Sequence, residues 1–530
     1  MTTPSGSGPG LPGPPETLGR TERRLAVLLA LAMFVLVVDT SLMNVSISAV
    51  VHDLGTTVSG VQSAIALEAL VSAAFILVGS KVGDLIGRKR AYVAGLLGYA
   101  VGATAMTFAQ NLTAVIVLWA VVGGLGASLL LPAMQSLVHG NFAGAAQKQV
   151  YALVGAAAAV AAAVGPLLGG FITTYLSWRV AFALEVVVIA VVLSGIRLVH
   201  DVPYTGARRV DGVGALLSAT GMGGIVLGVL AWQEGGERVG LLVGVGVLAL
   251  VALGGWLVRR ERRGRAVLLD PGLFRSPPFR VGVSQQLLQQ VALGGAMIAL
   301  PIYLQMVLEY DAMAAGLSLA PLSLSMFATA LAMSRRPGRW PVHRVVLAGF
   351  GLLVVGIAVL LPVVPRAGSG WALAPPLLVA GCGLGLLVSQ LNDYTLSPVS
   401  QERVSEAAGV NSAAGSFGLS FGLAVAGAVL LATLSTGFTA QARDSDVLSP
   451  ADQERVAQAL DEDAELMSTS ALTALLADEP PAAAAEVVRI NDEVRPRALQ
   501  AALLVPLAAG LLGVANVLRM RRAGAPGTGG

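Results

Sequence analysis

The chain has 530 residues, of which 55% are hydrophobic and only 12% are charged, with a formal net charge of +3 at pH 7. Soluble domains carry roughly 25% charged residues, so the composition excludes an ordinary soluble enzyme and predicts a polytopic membrane protein. A single cysteine, Cys382, excludes a disulfide framework and a thiolate metal site. The bases lie beside apolar runs, which is a membrane pattern and no nucleic-acid signal.

Fourteen apolar runs are long enough to cross a bilayer, since a spanning helix needs about 20 mostly apolar residues. They predict helices over residues 25–51, 61–80, 91–109, 112–138, 150–174, 180–199, 212–232, 239–258, 281–304, 312–334, 345–364, 372–396, 408–436 and 498–519. With both termini inside, 26 of the 34 Lys and Arg residues fall on the cytosolic side, as the positive-inside rule requires. We therefore predict a multi-pass protein of the cell membrane with cytosolic termini.

The first predicted helix contains an acid followed by two polar side chains. Asp39 is preceded by an apolar run, and Thr40 and Asn44 are four residues apart, so they share a helix face. An ionisable group in the membrane interior is costly and usually functional. Asp39 is therefore the first candidate for proton coupling, with a structural hydrogen-bonding role as the alternative. Thr40 and Asn44 are candidates for lining a substrate cavity.

A short basic segment, residues 80–90, joins the second and third predicted helices. Gly83 and Gly87 allow the helix ends to approach closely. Asp84 is able to pair with a neighbouring base such as Arg88, or with a helix N-terminus, and so to form a latch that opens and closes. These four residues are the predicted gating group, and an ordinary positive-inside loop is the alternative.

Two further acids interrupt apolar runs in the same six helices. Glu68 lies in the second helix and Glu185 in the sixth, and burial disfavours the charged form of a carboxyl group. With Asp39 they form the predicted proton-coupling set, although structural hydrogen bonding or contact with water at the external edge remains open for both. No cation is predicted mid-membrane nearby, so at least one of the three is expected to carry its proton at pH 7.

The fifth helix contains Gly165, Pro166, Gly169 and Gly170. A proline inside a helix removes a backbone hydrogen bond and kinks the helix, while the small residues permit close packing against a neighbour. The remaining cavity candidates are polar or aromatic residues of other helices. They are Trp119, Gln286, Gln290, Gln305 and Asn392.

Taken in order, these segments resemble the fourteen-helix drug:proton antiporter family of the major facilitator superfamily, of the quaternary-ammonium and multidrug efflux type. Residues 80–90 are similar to the cytoplasmic-loop signature of the superfamily, residues 39–44 to D-x-T-x-x-N, and residues 165–170 to the antiporter signature G-P-x-x-G-G. That last signature accompanies export in the family. One departure is that residues 120–124 read AVVGG where the family shows R-x-x-Q-G, so an Arg associated with proton coupling is absent.

The resemblance implies an all-α major facilitator fold in which two six-helix bundles flank a cavity near the midplane. The implied domains follow the chain in order. They are a disordered cytosolic tail (1–24), the N-terminal bundle (25–199), a linker with two extra transmembrane helices and a basic cytosolic loop (200–280), the C-terminal bundle (281–519) containing a long acidic extracellular loop (437–497), and a second tail (520–530).

The predicted function is export of amphipathic small molecules, drugs or metabolites, driven by inward proton flow in a bacterial cell. The expected partners are the substrate, protons and the bilayer, with no cofactor, metal or nucleic acid, and the expected state is a monomer. An uptake or facilitative porter of the same fold is one alternative, and a transporter-like sensor without flux is another. The apolar runs show no nucleophile–His pair or metal cluster, so we do not predict an enzyme.

Overall fold

The computed structural model describes residues 19–201, 211–233, 238–265, 267–334, 339–399, 403–449, 453, 469, 472–473, 476–477 and 480–522. The described chain contains fourteen helices that are long and apolar enough to cross a membrane, which confirms the predicted fold class. They are α1 (Arg20–Val45), α2 (Val58–Ile86), α3 (Arg88–Phe108), α4 (Leu112–Asn141), α5 (Gly144–Tyr175), α6 (Trp178–Ser194), α7 (Gly212–Gln233), α8 (Val239–Arg262), α9 (Pro277–Val307), α10 (Ala312–Ser334), α11 (Val342–Val363), α12 (Ala374–Leu396), α13 (Val404–Arg443) and α14 (Pro481–Arg522).

Two of these spans contain π-helical turns, in which the backbone bonds from i to i+5. In α4 the π-helix covers Val115–Gly123, and at the end of α9 it covers Tyr303–Val307. Such widened turns occur mostly at functional sites. They place Trp119 and Gln305, two of the predicted cavity residues, in irregular backbone.

Helices α1–α6 pack with one another, as do α9–α14, and the two groups meet along two seams. One seam joins α2 to α13, and the other joins α5 to α10. Across the first, the hydroxyl of Ser420 donates to the carbonyl oxygen of Ala66 at 2.6 Å. Helices α7 and α8 pack against each other, and α7 also contacts α2 and α13. The two extra helices therefore lie beside the first seam.

The glycines of the α5 signature lie where two other helices come close. A Cβ on Gly169 would lie 2.6 Å from a methyl carbon of Val45 on α1, and one on Gly170 would lie 2.5 Å from the carbonyl oxygen of Ala312 on α10. On the opposite side of the second seam, Gly316 of α10 lies directly against the carbonyl oxygen of Pro166. The signature thus packs α5 against both halves of the protein.

Three segments expected to lie outside helices prove to be helical. Residues 20–24 of the predicted tail belong to α1, residues 437–443 of the predicted loop belong to α13, and residues 481–497 belong to α14. Arg489 explains the last case, because it pairs with Glu486 at 2.8 Å and Glu493 at 2.6 Å, three and four residues away. Such pairs stabilise a polar helix that a search for apolar runs does not detect. Residues 1–18 lie outside the described residues.

Candidate proton-coupling and substrate site

Three carboxyl groups come together inside the first six helices. Asp39 of α1, Glu68 of α2 and Glu185 of α6 are 1%, 9% and 3% exposed, and α1 packs against both of the other helices. In the described part of the chain, no Lys or Arg forms an ion pair with any of them. A charged Asp at the centre of a spanning helix costs about 2.5–3.5 kcal/mol even when it is inserted alone. Three buried carboxyls in one bundle are therefore a costly feature of the fold.

Two side chains hold Asp39 in place. The hydroxyl of Tyr99 on α3 donates to Oδ2 of Asp39, and the indole Nε1 of Trp119 on α4 donates to the same oxygen at 3.1 Å. The other oxygen, Oδ1, has no partner among the described residues. One carboxylate oxygen therefore accepts from two donors, while the second has no donor among the described residues.

Glu185 has fewer hydrogen-bond partners than Asp39. Both of its carboxylate oxygens are buried and lack a hydrogen-bond partner among the described residues. Burying an ionised carboxylate without compensating bonds is far more costly than burying a neutral one.

Aromatic rings cover the cluster on the side where α1 ends and α2 begins. The ring of Trp119 meets that of Phe182 edge to face at 6.3 Å, and Phe182 meets Trp178 in the same way at 6.0 Å. Beyond them, Asp53 forms an ion pair with Arg179 and accepts from Trp178 Nε1 at 3.0 Å. This layer closes the acidic cluster toward that face of the membrane.

Glycines of α4 bring the helices around the cluster close together. A Cβ on Gly124 would lie 2.9 Å from the carbonyl oxygen of Glu68, and one on Gly126 would lie 2.6 Å from the backbone nitrogen of Tyr99. The glycine pair at 123–124, which stands in the segment without the family's Arg, is thus part of a tight crossing. The backbone of α2 and α3 fills the space that a long basic side chain in this segment would need.

We expect Gly126→Val to destabilise the protein strongly. The new side chain would meet backbone atoms of α3, which cannot rotate away, and overpacking of this kind costs about 1–3 kcal/mol or more. The measurement is the thermal unfolding midpoint of purified protein by differential scanning fluorimetry. Gly155→Val on α5 is the matched control, because a Cβ there meets nothing within 4 Å. Equal midpoints for the two variants would contradict the tight crossing.

The predicted cavity residues outside this cluster lie at separate places. Asn44 donates to the carbonyl oxygen of Thr40 at 2.7 Å within α1, so this pair is engaged with its own helix. Gln305 accepts from the backbone nitrogen of Ser48 at 3.0 Å and thereby joins the end of α9 to the short helix Ile47–Leu54 that follows α1. Asn392 lies near the end of α12 and its Oδ1 accepts from Asn411 of α13 at 3.1 Å.

Gln286 and Gln290 are half-buried and lie where α9 faces α13. A Cβ on Gly415 of α13 would lie 3.5 Å from Nε2 of Gln286 and 3.8 Å from Cγ of Gln290. At about 1.5 Å per residue, Gln305 is about 28 Å further along the same helix than Gln286. The structure therefore does not bring the predicted cavity residues together, and a common substrate site for them stays a prediction.

The basic segment at 80–90 is a single-residue joint rather than a loop. Helix α2 continues to Ile86 and α3 begins at Arg88, leaving only Gly87, whose φ of +100° favours glycine. Asp201, after α6, caps this joint by accepting from the backbone nitrogen of Lys89 at 3.0 Å. The sequence analysis missed Asp201, and its position just after a membrane helix was the available signal.

Arg88 and Gly83 pack together at the same joint. Arg88 is buried and donates to the carbonyl oxygen of Ser80 at 3.3 Å, and a Cβ on Gly83 would lie 3.3 Å from its guanidinium. The side chain of Asp84 lies outside the described residues. The latch that we predict for Asp84 therefore stays a prediction.

Comparison with known proteins agrees with this architecture. The family model for the Major Facilitator Superfamily matches residues 29–423. The puromycin resistance protein pur8 of Streptomyces alboniger is 31% identical over 441 residues, covering 81% of this chain and 84% of its own. The multidrug efflux pump LfrA of Mycolicibacterium smegmatis is 27% identical over 516 residues, covering 96% of this chain and 98% of its own.

A probable actinorhodin transporter of Streptomyces coelicolor is also similar, at 27% identity over 454 residues that cover 83% of this chain and 78% of its own. Among solved structures, a bacterial homologue of the human lysosomal transporter Spinster superposes with a TM-score of 0.62 at 11% identity. It covers 95% of this chain and 98% of its own. That likeness supports the fold, and the named relatives are all transport or resistance proteins.

Proposed function

Because the chain belongs to the major facilitator superfamily, we propose that it is a proton-coupled exporter of amphipathic small molecules, acting by antiport. The observation that carries the proposal is the cluster of Asp39, Glu68 and Glu185, three buried carboxyls for which the described residues provide no paired cation. The relatives named for multidrug efflux, puromycin resistance and actinorhodin transport support the direction and the substrate class.

In the proposed cycle, the two halves rock about the α2–α13 and α5–α10 seams, so that the cavity between them faces each side of the membrane in turn. When protons occupy the carboxyl cluster it is neutral, and when they leave it becomes negative. Binding a cationic or dipolar substrate is favoured in the negative state. Substrate and protons therefore compete for the carboxyl cluster. This competition couples export of the substrate to entry of protons.

The test uses inverted membrane vesicles from an efflux-deficient host that expresses the protein. Ethidium is supplied outside, and the vesicle lumen is acidified by respiration. We expect ethidium to accumulate in the lumen, and the accumulation to collapse when nigericin dissipates the pH gradient. Equilibration of ethidium without accumulation would indicate a facilitative porter, and no flux for ethidium or for puromycin would favour a sensor.

The proposed orientation places both termini in the cytosol and the segment between α13 and α14 outside. We expect a cysteine at Ser449, in a Cys382→Ala background, to react with an impermeant maleimide in intact cells. Asp270→Cys in the same background, between α8 and α9, is the control that should react only after permeabilisation. The reverse pattern would overturn the orientation.

A further inference from the structure

A groove between α1 and α6 lies on the surface of the first bundle, away from the carboxyl cluster. It has a volume of about 570 Å³ and is lined by Arg20, Arg23, Arg24, Val27, Leu28, Leu31, Val191, Ser194, Gly195 and Leu198. One end is basic and the rest is almost entirely apolar. Nothing in the proposed transport cycle uses these residues.

The α1 residues of this groove follow one face of the helix. Arg20, Arg23 and Arg24 are spaced by three and four residues, and Val27 and Leu31 continue the same spacing. From Arg24 to Leu31 the apolar part of the face is about 10 Å long. The groove therefore presents three positive charges at the membrane surface and an apolar channel that runs from them into the membrane.

The three guanidinium groups are available for a ligand. All three residues are exposed, and within the described residues none of them forms an ion pair or a side-chain hydrogen bond. The nearby acid, Glu22, accepts a hydrogen bond from the backbone nitrogen of Gly19 at 2.8 Å. On the apolar side, Val27 is 44% exposed and Val191 is 47% exposed, so both present hydrocarbon to the bilayer.

We propose that this groove binds one anionic phospholipid, with its phosphate on the arginines and an acyl chain along α1 and α6. The lipid matches the groove in charge and in shape. Its negative phosphate faces the arginines at one end, and its apolar chain follows the apolar residues from there. Each basic residue beside an anionic headgroup strengthens such binding by roughly fivefold. The bound lipid belongs to the leaflet on the side where α1 begins.

The experiment uses the full chain in vesicles made from a four-to-one mixture of phosphatidylcholine and phosphatidylglycerol. A phosphatidylglycerol probe carries a diazirine in its acyl chain, and adducts are mapped by peptide mass spectrometry. We expect adducts in the segments 27–31 and 191–198, reduced by about tenfold or more in the triple variant Arg20→Gln, Arg23→Gln, Arg24→Gln. A phosphatidylcholine probe with the same diazirine should label these segments only weakly.

The matched control is Arg259→Gln, Arg262→Gln, Arg263→Gln, which removes three exposed positive charges from the end of α8 and should leave the adducts unchanged. Val191→Trp fills the apolar part of the groove and should reduce labelling while all three arginines remain. Equal labelling by the two probes, or unchanged labelling in the first triple variant, would overturn the proposal. Increased labelling after removal of residues 1–18 would show that this segment is the occupant instead.

Discussion

Asp39→Asn is expected to abolish proton-driven efflux while leaving downhill substrate movement intact. Asparagine keeps an oxygen for the donors Tyr99 and Trp119, so the local packing is retained. It cannot bind and release a proton, and the coupling between proton entry and export is lost. We expect the initial rate of ethidium uptake into acidified inverted vesicles to fall by at least about tenfold, as general acid–base groups commonly contribute more than that.

Glu68→Gln should give the same phenotype, because Glu68 is a buried carboxyl of the same bundle. Asp446→Asn, in the exposed segment after α13, is the control and should pump normally. Ethidium equilibration in de-energised vesicles reports the downhill movement in each variant. If both membrane variants still accumulate ethidium with the pH dependence of the unmodified protein, the proton site lies elsewhere, and Asp393 at the end of α12 is then the next acid to replace.

Gly316→Val is expected to force the α5–α10 seam apart near the ends of these helices. Its new side chain would meet the carbonyl oxygen of Pro166, a backbone atom that has no rotamer with which to avoid it. Overpacking costs about 1–3 kcal/mol, enough to shift a two-state population about fivefold or more toward a form with this seam open. Transport should fail, because the cavity no longer closes on that side.

The measurement is the reactivity of a cysteine at Thr174, whose hydroxyl accepts from the backbone nitrogen of Met313 across the seam at 3.0 Å. In a Cys382→Ala background, Thr174→Cys should react slowly with an impermeant maleimide and much faster when Gly316→Val is added. Gly351→Val on α11 is the control, since a Cβ there meets nothing within 4 Å. Unchanged reactivity at Thr174→Cys would count against the seam as a closing contact.

The sequence singles out three acids because charges are conspicuous in apolar helices, and their role in proton coupling stays a prediction. Asp39, Glu68 and Glu185 each interrupt an apolar run, and the bundle that the resemblance implies places their helices together. The fourteen spans follow for the same reason, since length and hydropathy decide them. Both inferences, the three acids and the fourteen spans, depend on the composition of single segments.

Features that depend on two segments are not visible in this way. Tyr99 is one aromatic residue among many apolar neighbours, and only the fold shows that its hydroxyl reaches Asp39. Asp201 caps a joint more than a hundred residues earlier in the chain. The apolar pattern does not show that α14 begins at Pro481, because charge pairs, and not apolar residues, stabilise its first turns. The one available clue for Tyr99 was that a buried tyrosine hydroxyl needs a partner.

The position of Trp119 beside Asp39 depends on the π-helical turns of α4. Trp119 reaches Asp39 from within Val115–Gly123, where the backbone bonds from i to i+5. Rewinding this segment to ordinary α-helical bonding would shift the register by one residue and turn the indole by about 100° around the helix axis. Asp39 would then lose one of its two donors although neither α1 nor α3 had moved. The number of donors that this carboxyl keeps is thereby tied to the winding of a neighbouring helix.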